Sequence, residues 1–228
     1  MSTIEDYSGA MDASTSLASR LEEALRILGP LWPDAVPLLD HRDCFELLCA
    51  VMLSAQCTDE QVNRVTPSLH ARWPDAAKMA GAAVEELETV IHSVGFYRTK
   101  ARHLIGMSKL LVEKHGGRVP ASMEELLELP GVGRKSANLV ISSCFGIPGI
   151  IADTHVIRLA TRFGIVDRPE PALVETRVAA LVAPADWTRL SHALNRHGKY
   201  TCKARKPDCP GCPISGICPR IGLEGKGN

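Results

Sequence analysis

Apolar residues recur along this chain at intervals of three and four positions, and period-two alternation is almost absent. Leu17, Leu21, Ala24, Leu25 and Leu28 form one stripe, closed by Gly29-Pro30. Residues 44–55 are apolar nearly all round with Glu46 as their one charge, which predicts a helix buried in the middle of a domain. Val84, Leu87 and Ile91 make another stripe, and Ala101, Leu104, Ile105, Ser108, Leu111 and Val112 a longer one. Val156, Leu159, Ala160 and Phe163 follow, then Val174, Val178, Leu181 and Val182. Thr58 with Gln61, and Ser122 with Glu125, have capping-box spacing. Gly95, Gly116-Gly117, Gly146 and Gly164 fit left-handed C-terminal caps. The pattern predicts an all-α chain with short connections after a small polar N-terminal tail.

Composition narrows the class. At 228 residues the chain has room for one large domain or two small ones, and with 4% aromatic residues its core is aliphatic. The longest apolar stretch, Leu47 to Ala55, is too short to span a bilayer. The N-terminus has neither a signal-peptide apolar region nor an Arg-rich transit pattern, so a cytoplasmic protein is expected. Net charge is zero, which announces no nucleic-acid partner. Its distribution says more: no acidic residue lies between Asp186 and Asp208, where Arg189, Arg196, Lys199, Lys203, Arg205 and Lys206 all fall. Such a stretch is either a solvated face or a local phosphate-contacting surface.

Candidate chemistry begins at Leu129-Pro130-Gly131-Val132-Gly133-Arg134-Lys135. Ser122–Glu128 reads as one helix, Leu129–Gly133 as a hairpin and Arg134–Phe145 as the next helix. Two glycines around a single valine allow a tight turn, whose N–H groups join the positive end of the second helix as a phosphate site. A purely structural turn would look the same. Lys135 lies in the first helical turn, where the helix field opposes its charge and favours the free, nucleophilic amine. Pairing with phosphate is the alternative use. Asp153 follows eighteen residues after Lys135 and precedes the Val156–Phe163 stripe, a position that suits both an N-cap and a reactive carboxylate.

Cys44, Cys49, Cys57 and Cys144 lie within or beside apolar helices and read as small core residues. Cys202, Cys209, Cys212 and Cys218 are spaced C-x6-C-x2-C-x5-C in a Pro- and Gly-rich segment. Two disulfides, a zinc site and a four-cysteine iron–sulfur cluster are the alternatives for this set.

The hairpin motif, Ala152-Asp153-Thr154-His155 and the four-cysteine spacing, in that order, resemble the helix-hairpin-helix DNA glycosylase superfamily with an iron–sulfur cluster, specifically the endonuclease III family. The resemblance runs from about Leu17 to Pro219. It implies two helical domains flanking a DNA-binding cleft: residues 38–146 as a barrel-like domain with the hairpin, and residues 1–37 with 147–228 as a cluster domain. It implies one [4Fe–4S] cluster per chain on Cys202, Cys209, Cys212 and Cys218. Lys135 becomes the nucleophile that forms a Schiff base, and Asp153 assists it. Gly131, Val132, Gly133 and Arg134 become phosphate contacts. Gln56 matches the residue that fills the space of an extruded nucleotide. Phe96 matches a second wedge, where leucine is usual in the family. His155 either orders the Asp153 loop or meets phosphate, and Lys199, Lys203 and Arg205 face the DNA backbone.

The implied activity is removal of oxidised or ring-saturated pyrimidines from double-stranded DNA, then strand cleavage 3′ to the abasic site by β-elimination. The implied protein is a monomer, nucleoid-associated if bacterial, with no membrane partner. Relatives specific for mismatched adenine lack the lysine, so Lys135 places the chain in the bifunctional branch. The rival readings are a monofunctional mismatch glycosylase and a non-catalytic, cluster-bearing DNA-binding protein.

Overall fold

Eleven α-helices and two short 3-10 turns account for the regular structure of this computed structural model, which describes residues 5–33 and 37–223, the side chains of 5–16 excepted. The helices are α1 (Glu5–Leu28), α2 (Cys44–Leu53), α3 (Asp59–Arg72), α4 (Ala76–Ala80), α5 (Val84–Val90), α6 (Tyr97–His115), α7 (Met123–Leu127), α8 (Arg134–Phe145), α9 (Thr154–Phe163), α10 (Pro171–Leu181) and α11 (Trp187–Tyr200). No strand occurs among the described residues. Where a polar tail is expected, α1 already runs from Glu5; residues 5–16 have no apolar repeat, so periodicity could not mark them.

The caps form where the spacing places them. Thr58 accepts from the Gln61 N–H at 3.2 Å and Ser122 from the Glu125 N–H at 3.4 Å. Gly116, Gly146 and Gly164 end α6, α8 and α9 in the left-handed conformation. Gly95 does not act as a cap. Helix α5 stops at Val90, a turn closes with Val94 N–H donating to Ile91 O at 2.9 Å, and Phe96 takes the left-handed position instead. Burying both Ile91 and Val94 moves the chain reversal past the glycine.

The chain divides into two compact units, one made of Met1–Val36 with Pro148–Asn228, the other of Pro37–Ile147. In the second, α2 is the central element: every residue from Phe45 to Leu53 is buried, and α3, α6 and α8 pack against it. Glu46 tolerates that burial because the Arg42 side chain and backbone N–H both donate to its carboxylate. Cys49 is fully buried, whereas Cys44, Cys57 and Cys144 are only half-buried at the edge of the core where interior positions are expected. In the first unit, α1, α9, α10 and α11 surround a core of Leu21, Leu28, Val156, Leu159, Phe163, Val174, Leu190 and Leu194. Helix α9 buries Val156, Leu159, Ala160 and Phe163, as its stripe predicts, and leaves Thr154 as its one exposed residue. Helices α9 and α11 touch closely because Gly198 has no side chain; a Cβ there would stand 2.7 Å from the His155 Cβ.

Candidate functional site

Lys135 is exposed in the first turn of α8, directly after the hairpin. Val132 N–H donates to Leu129 O at 3.1 Å, closing the turn, and Gly131 carries it through φ +81°. A side chain at Gly131 would meet the His103 ring at 2.8 Å and the Met52 sulfur at 2.9 Å, so both conformation and space demand glycine. Gly133 is different. It has φ −100° and open space around it, and as N-cap it supplies no side chain to α8. Its missing side chain leaves the helix start open to a ligand. The Val132 side chain is buried, so only its backbone faces outward, while Gly131, Gly133 and Arg134 are exposed.

Gln56 and Phe96 share an unusual backbone. Among the described non-glycine residues only these two and Arg220 have positive φ, at 53°, 58° and 58°. A left-handed L-residue costs about 1–2 kcal/mol, and such strain collects at functional positions. The two loops adjoin: a Cβ on Gly95 would lie 3.6 Å from Gln56 O. Both side chains are exposed, Phe96 at 64%, the highest value among large apolar residues. Buried Lys100 fixes this corner by donating to Leu53 O at 2.8 Å and Ala55 O at 2.7 Å. It satisfies the carbonyls at the end of α2, and nothing local in the sequence announces that contact.

In the other unit Asp153 caps α9. Its Oδ1 accepts from the His155 N–H at 2.9 Å and the Val156 N–H at 2.8 Å. Its Oδ2 accepts from the side-chain amide of Asn195. Asp153 as a whole residue is 9% exposed, and its carboxylate is placed by these partners. The segment before it is pinned to α11: Ile151 N–H donates to Ser191 Oγ at 3.0 Å and Gly149 N–H to Thr188 Oγ1 at 3.1 Å. Thr188, Ser191, Asn195 and Gly198 follow one another at steps of three and four, so α11 presents a single small and polar face to this region. His155 is half-buried, and its Nδ1 lies 3.0 Å from Arg158 Nη2, which also donates to Gly198 O at 2.7 Å.

The four C-terminal cysteines line one hollow together with Leu159, Arg162, His197 and Ile214. Burial pushes the Cys212 and Cys218 thiols up, so a bound cation would have to stabilise their thiolates. Arg162, itself buried, donates to Cys202 Sγ at 3.0 Å and to the Lys203 and Ala204 carbonyls at 2.9 and 3.0 Å. His197 Nε2 lies 3.4 Å from Cys212 Sγ. Donors of this kind orient and tune cluster ligands. Lys203, Arg205 and Lys206 project from the loop into solvent, whereas Lys199 is half-buried beside the Tyr200 ring. Arg196, counted above in the basic stretch, is buried and adds nothing to that surface.

Residues 49–184 match the HhH-GPD superfamily of base excision DNA repair proteins, and residues 202–218 match the iron-sulfur binding domain of endonuclease III. The chain is 45% identical over 205 residues to endonuclease III of Synechocystis, covering 90% of this chain and 94% of the relative. It is 39% identical over 186 residues to endonuclease III of Escherichia coli, covering 82% and 88%. Among solved structures it resembles a trapped endonuclease III–DNA covalent intermediate, with a TM-score of 0.84, 40% identity, and 88% and 95% of the two chains covered. A thermostable thymine-DNA glycosylase has the same fold at 21% identity and a TM-score of 0.78.

Proposed function

The chain belongs to the endonuclease III group of the HhH-GPD superfamily, and on that premise we propose that it excises oxidised or ring-saturated pyrimidines from duplex DNA through Lys135 and Asp153. It is a bifunctional DNA glycosylase and abasic-site lyase of base excision repair with an iron–sulfur cluster on Cys202, Cys209, Cys212 and Cys218. The observation that carries the assignment of residues is the exposed amine of Lys135 on an open hairpin–helix start. The hairpin N–H groups and Arg134 hold phosphate and so place the backbone, without reading sequence. Gln56 fills the gap left by the extruded nucleotide, and its amide meets the orphaned base with donors and an acceptor. Phe96 wedges beside it.

The Lys135 amine attacks C1′; the C1′–N bond breaks and the base leaves with its electrons and takes up a proton. Ring opening gives an iminium between Lys135 and the sugar. Loss of a C2′ proton to solvent or a nearby base then expels the 3′ phosphate, and water releases the amine. Asp153 supplies negative charge where the sugar becomes cationic. His155, tied to Arg158 through Nδ1, belongs to the frame around Asp153. The exposed Lys203 and Arg205 add phosphate contacts, with Lys199 behind them. No helix among the described residues is long and apolar enough to cross a membrane, and we place the enzyme as a monomer on cytoplasmic, nucleoid DNA.

The test is a duplex carrying a single thymine glycol, offered beside one with an A·G mismatch. Release of thymine glycol with strand scission 3′ to the site supports the reading. Release of adenine from the mismatch without scission overturns it in favour of a monofunctional enzyme. The wedge gives a separate expectation: Phe96→Ala removes the aromatic platform, worth about 1–3 kcal/mol per stacked base. Its affinity for the lesion duplex should fall on the order of tenfold or more, with an unchanged rate at an abasic site in single-stranded DNA. Binding isotherms and single-turnover assays separate the two.

A further inference from the structure

Both oxygens of Asp153 are occupied from within its own unit. Oδ1 takes two backbone N–H groups at the start of α9, and Oδ2 takes the Asn195 amide from α11, 42 residues away in sequence. A carboxylate has about four lone-pair positions, so three donors leave about one for a substrate. His192 is buried, its imidazole pushed down to about 4 by burial first and by Arg196 second, so it stays neutral near pH 7 and carries no proton to Asp153.

Ordinary capping explains only half of this. An N-cap aspartate needs one oxygen for the helix N–H groups, and the second normally points to water. Here the second is met by a side-chain amide from another helix. A buried hydrogen bond to a charged group is worth about 1.5–3 kcal/mol, but only where both partners are fixed. Asn195 is fixed by the α11 face that also carries Ser191, which binds the segment leading to Asp153, and Gly198, which lets α9 approach.

We infer that Asn195 is a positioning residue for base excision, holding the Asp153 carboxylate in the orientation from which it stabilises the cationic sugar. The inference rests on the assignment of Asp153 to that step. It separates the two activities: charge stabilisation is needed while a base departs from C1′, and less so at a preformed abasic site, where no base remains. Asn195→Leu removes the amide at similar volume, and Asn195→Asp keeps the shape but opposes the carboxylate with a second one.

Both variants, assayed as cluster-loaded protein, should release thymine glycol about 10–100-fold more slowly in single turnover. The loss should fall on kcat with KM and duplex affinity within about twofold of wild type, and scission of a preformed abasic site should fall far less. Iron content and thermal midpoint report the fold. Equal losses in rate and affinity, or losses that track lost iron, make Asn195 structural and overturn the inference. Wild-type base release by both variants, beside slow release by Asp153→Asn, overturns it while the assignment of Asp153 stands. Wild-type release by Asp153→Asn removes that assignment and the inference with it.

Discussion

Replacing Lys135 by Gln should abolish the covalent protein–DNA adduct that borohydride traps on a thymine glycol duplex, and with it strand scission. The reason is chemical. An iminium requires a primary amine, and the glutamine amide cannot supply one at any concentration. The variant should still fold, since Lys135 is exposed. It should still bind DNA, because the hairpin contacts come from backbone N–H groups that the substitution leaves in place. Removal of the positive charge costs about one phosphate interaction at most, visible as a salt slope reduced by about 0.9. Single-turnover base release should fall by at least ~10³-fold, as expected when a nucleophile is lost from a site whose remaining groups persist.

That combination separates three accounts. A nucleophile gives retained binding, no adduct and no release. A lysine that only pairs with phosphate gives weakened binding and a normal rate at saturating DNA. A non-catalytic binding protein gives no adduct even in wild type. Mass spectrometry of the trapped wild-type adduct, digested with protease, should find the sugar remnant on the peptide that carries Lys135. A remnant on any other residue would sink the assignment.

The parts of this enzyme legible in the sequence are those encoded over short distances. The hairpin is one, because a turn with φ +81° beside the His103 and Met52 side chains admits only Gly131. The cysteine spacing is another, since a loop that wraps one group must bring its ligands within a few residues of each other. The helices of the core are a third, their stripes being the packing itself. What stayed hidden depends on contacts across long separations. Asn195, Ser191, Arg162 and Lys100 hold Asp153, its approach segment, the cluster loop and the Gln56 corner respectively. Each is an ordinary polar residue on a helix until the fold supplies its partner. A faint signal did exist on α11, where Thr188, Ser191, Asn195 and Gly198 repeat at heptad-like steps. Small and polar residues in such a repeat mark a helix face that others approach closely, but apolar periodicity is blind to it. The strain at Gln56 and Phe96 was equally invisible, because neither residue type favours positive φ and only the surrounding structure imposes it.

Changing Cys212 to Ser should remove the cluster and collapse the C-terminal loop while the helical core of the same unit survives. Residues 201–223 contain no helix or strand. Their order comes from a few tethers: Arg162 to Cys202, Lys203 and Ala204, Arg158 to Cys202 O, Ile221 N–H to Arg162 O at 3.0 Å, and the buried side chain of Ile214. Backbone ordering costs about 1–2 kcal/mol per residue, which these contacts cannot offset over such a length. A group bound by four thiolates only in the folded state must supply the difference. Helices α9 and α11 do not depend on it in the same way, since Leu159, Phe163, Leu190 and Leu194 bury themselves against α1 and α10. The variant should therefore lose its iron and its visible iron–sulfur absorption, gain protease sites between residues 201 and 223, and keep most of its helical circular dichroism. Its affinity for undamaged duplex should drop more than tenfold at 150 mM salt, with a salt slope smaller by about 2, because Lys203 and Arg205 are no longer aimed at phosphates. A Cys212→Ser protein with full iron content would show that this thiol is not a ligand. A protein without iron but with wild-type affinity and slope would show that the loop does not touch DNA, leaving the cluster to stabilise the unit and the hairpin to bind alone.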